Sequence, residues 1–211
     1  MLRTPITDLL VLHGERFGGV DPEHTEKGIG QIVSLGPVIK EFHANAVAEG
    51  TGIRFVEMRI KFYQIGCIEQ TCTIISSEYL GTTNCSMSLG SKGPNQTKLV
   101  VVQHGGTSVA GLVHPRCYVG IAQDDPEILN VWNLICRKFP ERTVFFCGQP
   151  FARMVVAQSA TKGVVIASEC IYRLNRHQKR VQFLVKGVAP EEQGNSFTRK
   201  LEKAVQIIRK A

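Results

Sequence analysis

Between Ile53 and Tyr63 the side chains alternate, with Val56, Met58, Ile60 and Phe62 apolar at the even positions and Glu57, Arg59 and Lys61 polar at the odd ones. Period two is what a strand imposes, because successive side chains leave opposite faces of the sheet. The segment therefore predicts a sheet with one buried face, and the rest of the chain has to be built around it. The outward set also takes in Phe55 and Tyr63. Aromatics beside Arg59 and Lys61 can stack bases and hold phosphates, although a solvated strand with aromatic ends accounts for the same pattern.

The flanking segments extend that sheet. Asp8 to His13 reads as a short apolar strand ending in a loop rich in glycine and charge, Gly14 to Gly30. Gly28 and Gly30 lack the third glycine of a dinucleotide fingerprint. They also precede a strand-like segment, Gln31 to Leu35, where the fingerprint needs a helix, so no nucleotide site is read there. Val38 to Ala48 predicts a short helix, Thr71 to Leu80 a second strand, and Gly81 to Gln96 a loop. Lys98 to Gln103 is a continuous β-branched run of the kind buried on both faces, and Cys117 to Ala122 is its successor.

After Asp124 the pattern turns helical. Asp124-Asp125-Pro126 has the acidic and proline character of a helix start, and Ile128, Leu129, Trp132, Ile135 and Cys136 follow at helical spacing. Arg142 to Cys147 reads as a strand, Pro150 to Ser159 as a helix, and Gly163 to Leu174 with Arg180 to Gly187 as a hairpin. Ser196 caps a last helix whose apolar stripe is Phe197, Leu201, Ala204, Val205 and Ile208. These elements predict one α+β domain over residues 1–211, largely antiparallel β in the first 122 residues, with helices concentrated after residue 124. The alternative is a β-sandwich or jelly roll with helical insertions. Open sheet edges lead us to expect a homo-oligomer.

Charge is distributed unevenly along the chain. The last forty-one residues carry ten Lys and Arg against three acidic residues, so they hold the entire net charge of +7 and leave residues 1–170 formally neutral. Arg176, His177 and Lys179 fall in the predicted hairpin tip, flanked by Arg173 and Arg180. Lys186 lies on the outer face of its second strand, and Arg199, Lys203 and Lys210 run along the polar side of the last helix. Such residues contact phosphate backbone more than base edges. The first functional expectation is therefore a non-enzymatic nucleic-acid-binding assembly protein, with RNA favoured over other polyanions. The second is a protein or membrane-associated scaffold whose basic surface meets acidic protein or lipid.

A third expectation is a cysteine-dependent hydrolase or phosphatase. Cys147 and Arg153 stand in C-x5-R spacing between a strand and a helix, where a helix N-terminus would activate the thiol. Chance competes, since Cys136 with Arg142 and Cys170 with Arg176 repeat the spacing. No catalytic residue, cofactor or metal set is assigned. Cys67-x4-Cys72 and His114-x2-Cys117 are loose pairs outside any repeated C-x2-C frame. Seven irregularly spaced cysteines, no secretory segment and no apolar run of bilayer length predict a reduced, intracellular protein of cytoplasm or nucleus.

Overall fold

The computed structural model describes residues 6–18, 23–51, 53–60, 67–68, 70–72, 74–75, 100–104, 116–121 and 130–210. Its seven strands are β1 (Thr7–Leu12), β2 (Ile53–Ile60), β3 (Val100–His104), β4 (Arg116–Ile121), β5 (Arg142–Cys147), β6 (Cys170–Asn175) and β7 (Arg180–Lys186). They form one mixed sheet in the order β3-β4-β2-β5-β1-β6-β7. The architecture is α+β, as the sequence predicts.

The central four strands are parallel. β1 pairs with β5, β5 with β2 and β2 with β4, while β3, β6 and β7 are added antiparallel at the two edges. Parallel strands need helical crossovers, and helices α1 (Glu26–Val33) and α2 (Gly36–Ala48) supply the first of them. This corrects the antiparallel β region expected before residue 122. Gln31 and Ile32, read as strand from sequence, lie inside α1. Of the expected strand Thr71–Leu80, residues 71, 72, 74 and 75 are helical. The expected loop 81–96 and helix start 124–126 lie outside the described residues.

Both faces of the sheet are covered. Leu9, Val11, Phe55, Val144 and Phe146 pack with α1, α2 and the terminal helix, α5 (Asn195–Arg209). Leu10, Leu12, Val56, Met58 and Phe145 face α3 (Val131–Lys138) and α4 (Gln149–Ala157). The alternation in β2 is therefore a division between two cores. Phe55 and Glu57 are buried, not wet, because β2 sits in the middle of a doubly covered sheet. Within the β-branched run Lys98 to Gln103, read as a strand from sequence, the chain forms β3 at one edge of the sheet.

The C-terminal third follows its sequence pattern closely. The β6–β7 hairpin and α5 form, with β6 starting at Cys170 and not at Gly163 as expected; Phe197, Ala204 and Ile208 are buried and Leu201 and Val205 packed against the core. Helix α5 begins after Gly194, which provides no side-chain cap, so Ser196 is not the cap. A register shift between Ile171 and Tyr172 breaks the alternation of β7. Leu184 and Val185 both turn inward, and Phe183 is left 49% exposed with its ring edge against Tyr172.

Candidate active site at the end of the first strand

The chain after β1 goes to α1 on one face of the sheet, whereas the chain after β5 goes to α4 on the other. Between these neighbouring parallel strands the carboxyl ends open into a crevice, the place where open α/β sheets take ligands. Leu12 is in register with Cys147, so the next residues, His13-Gly14 and Gly148-Gln149, form the lips of that crevice.

His13 is buried, with 4% of its surface exposed. Its Nδ1 lies 2.9 Å from the Gly14 carbonyl oxygen. A carbonyl can only accept, so Nδ1 carries the proton and Nε2 keeps its lone pair. Burial, with the nearby Arg16 cation adding to it, pushes the His13 pKa down from the ordinary imidazole value and holds the ring neutral. The backbone amide of Glu169 donates to the His13 carbonyl at 2.8 Å, which fixes the main chain on that side.

A second histidine holds the loop in place. The Gly14 amide donates to His24 Nε2 at 3.0 Å, and His24 Nδ1 donates to Gln70 Oε1 at 2.8 Å. The same Gln70 oxygen accepts from the His24 amide at 2.8 Å. Desolvation is the main cause that lowers the His24 pKa to about 4. His24 is thus a neutral positioning residue whose lone pair is spent on Gly14, while the lone pair of His13 is not bonded among the described residues.

Glycine permits this arrangement. A Cβ on Gly14 would overlap the Gly28 carbonyl, and a Cβ on Gly28 would overlap the Glu15 carbonyl, so the loop lies directly on the first turn of α1. Thr25 caps that helix, accepting from the Gly28 amide at 3.0 Å, and Gln31 Oε1 accepts from the Glu15 amide at 2.8 Å. On the other lip, Gln149 Nε2 donates to Ser168 Oγ at 2.8 Å and Gln149 Oε1 accepts from Arg153 at 2.8 Å. Glu169 closes the rim in the left-handed conformation, φ 58°. Burial raises its carboxyl pKa, opposed by Lys186 at 3.7 Å and reinforced by the neighbouring Glu15 charge.

The crevice can therefore present a neutral imidazole lone pair, an adjacent cation at Arg16 and the Glu169 carboxyl, whose pKa burial raises against the pull of Lys186. Sequence reasoning placed no site here. The available signal was Thr25 three residues before Gly28, a cap pattern, but two glycines in eight residues disguised the helix.

The sequence-derived residues are placed differently. Cys147 is 1% exposed, and burial pushes its thiol well above the ordinary value, which keeps it protonated. Arg153 is exposed and bonded to Gln149, so the two do not form a phosphate-binding pair. Arg176 is not at an exposed tip. It is 7% exposed and bonded to Asp8, because a guanidinium can satisfy several buried acceptors at once. Lys186 lies at the far end of β7 from Arg180, beside Glu169. Arg173 is half-buried, and His177, Lys179, Arg180, Arg199, Lys203 and Lys210 are exposed. Among the described residues no three His, Cys, Asp or Glu side chains converge as metal ligands, and no helix is long and apolar enough to cross a membrane.

No family model and no curated protein matches the chain. Among solved structures it is similar to a chain described as "putative phosphohistidine phosphatase SixA" from Agrobacterium tumefaciens, at 10% identity and a TM-score of 0.40, over 82% of this chain and 92% of that one. Similarity at that level transfers no chemistry.

Proposed function

We propose that this chain is a phosphoryl-transfer enzyme of the hydrolase type, with His13 as the group that accepts the phosphoryl. The observation that carries the reading is the bond between His13 Nδ1 and the Gly14 carbonyl. It fixes the tautomer with the Nε2 lone pair available, at the crevice where an α/β sheet takes its ligands.

In this reading Nε2 attacks the phosphorus of a phosphate ester and the ester P–O bond breaks. The departing oxygen takes a proton from Glu169, whose carboxyl is raised by burial and by Glu15. Arg16 offsets charge on the phosphoryl oxygens. Water then cleaves the phosphorus–nitrogen bond, returning inorganic phosphate and neutral His13, with ionised Glu169 taking back a proton.

The test is hydrolysis of p-nitrophenyl phosphate and of acetyl phosphate, with an alkaline quench to trap the acid-labile phosphohistidine. Wild-type protein should turn over at least one substrate and carry label at His13, and His13→Asn should do neither. Absence of turnover and label in the wild type, or equal turnover in the variant, would sink the reading.

A further inference from the structure

A second polar cluster lies at the opposite end of β1, about 20 Å away by strand length. Register places its members. Thr7 opposes Asn175, and Asn175 opposes Arg180; Leu9 opposes Arg173, and Arg173 opposes Gln182. Residues directly opposite share a face, so Thr7, Arg173, Asn175, Arg180 and Gln182 lie on one side of the sheet, that of Leu9 and Leu184. Continuing the β1–β5 register from Leu9 and Val144 brings Arg142 onto the same side. A polar band thus replaces the apolar core at this margin.

The band contains unmet donors. The Thr7 hydroxyl and the Arg173 Nε are both buried with no hydrogen-bond partner among the described residues. Arg142 is neutralised by Glu49 at 2.8 Å, but among the described residues no carboxylate reaches Arg173 or Arg180. Burial, and after it the Arg142 cation, act against the Arg173 charge. A half-buried cation beside another cation, with its Nε unbonded among the described residues, is an arrangement that lacks an anion. A groove of about 460 Å³ opens over it, lined by Thr161, Arg173, Asn175, Gln178, Arg180 and Gln182. Its size is that of a small-ligand site.

We propose that this groove binds a phosphate group, with the Arg173 and Arg180 guanidiniums as the paired cations and Asn175, Gln178 and Gln182 as hydrogen-bonding neighbours. Guanidinium forks match phosphate oxygens, and none of the lining side chains is acidic. The site is separate from His13 and does not depend on chemistry there. The phosphate is carried by a small molecule or by a nucleic-acid strand running over the exposed His177 and Lys179, and the same chemistry serves both.

The test uses the full chain in a His13→Asn background, so that turnover at the first crevice does not consume the probe. Inorganic pyrophosphate is titrated by calorimetry, and a short oligouridylate by fluorescence anisotropy at two salt concentrations. Arg173→Gln and Arg180→Gln should each weaken binding about tenfold or more, the loss of one charge-assisted contact, while Arg199→Gln on α5 should not. Arg180 is exposed, so its variant keeps the fold and decides the matter if Arg173→Gln unfolds. Pyrophosphate binding assigns the groove to small ligands, and oligouridylate binding alone assigns it to a strand. No binding of either, or binding indifferent to Arg180→Gln, overturns the proposal.

Discussion

Arg176 clasps Asp8 through two bonds, Nε to Oδ2 at 2.6 Å and Nη2 to Oδ1 at 2.8 Å, although 168 residues separate them in sequence. The same guanidinium donates to the carbonyls of Phe139 and Glu141, and Asp8 also accepts from the Thr143 amide at 2.9 Å. One side chain from the hairpin tip therefore ties β1, β5 and the end of α3 together. Removing one partner leaves a buried charge uncompensated. Arg176→Gln should cost about 3–5 kcal/mol in urea denaturation, whereas Lys179→Gln at the same tip should stay within about 0.5 kcal/mol. Equal effects of the two would mean the pair is not structural.

The loop at His13 depends on two glycines that sit against each other's neighbouring carbonyls. Gly28→Ala would improve helix propensity by about 1 kcal/mol in an open helix. Here the added methyl overlaps the Glu15 carbonyl, so the substitution should instead destabilise the protein and displace His13. A thermal melt of Gly28→Ala beside Gly50→Asn, whose position has φ 64° and open space, separates crowding from a general loss of glycine. A higher melting temperature for Gly28→Ala would contradict the contact.

His24 makes stability depend on pH with a definite sign. Its folded pKa is about 4, against 6.5 for the unfolded ring, so the unfolded chain binds more protons between those values. Stability is complete above pH 6.5 and is lost as the pH falls toward 4, by about 2–3 kcal/mol from this group. The lowered pKa of His13 adds loss in the same direction. Denaturant midpoints measured across this range should show the slope, and His24→Gln should flatten it. An unchanged slope would remove His24 as its source.

Thiol reactivity should separate by burial. Cys136 is exposed on α3, while Cys147 is buried and burial pushes Cys170 up to about 11. Iodoacetamide on native protein should label Cys136 and leave Cys147 untouched until the protein is unfolded, with mass spectrometry identifying the sites. Early labelling of Cys147 would restore it as a nucleophile.

Legibility from sequence tracked how local the deciding forces are. The β6–β7 hairpin and α5 were legible because their turn chemistry and helical stripe lie within short windows. Arg176 was misread because its partner, Asp8, is at the other end of the chain, and no local pattern distinguishes it from Lys179. Glu57 looked solvated for a related reason: period two separates two faces of a strand but does not say that both are covered. Helix α1 was hidden by Gly28 and Gly30, which weaken helix propensity in order to admit the Glu15 carbonyl and Pro190. The His13 crevice is hidden for the same reason, since a site at a strand end is legible only when the next element is known to be a helix.

The first strand of the chain lies between β5 and β6, whose residues begin at 142 and 170. During synthesis, Leu9, Leu10, Val11 and Leu12 leave the ribosome long before either hydrogen-bonding neighbour exists. Until residue 147 has emerged both of its edges are open, and until residue 175 one still is, so an apolar strand waits as a template for pairing with other chains. The nascent protein therefore carries a long interval of aggregation risk. Assembly of the His13 crevice and departure from chaperones should come together, after the hairpin has closed over β1.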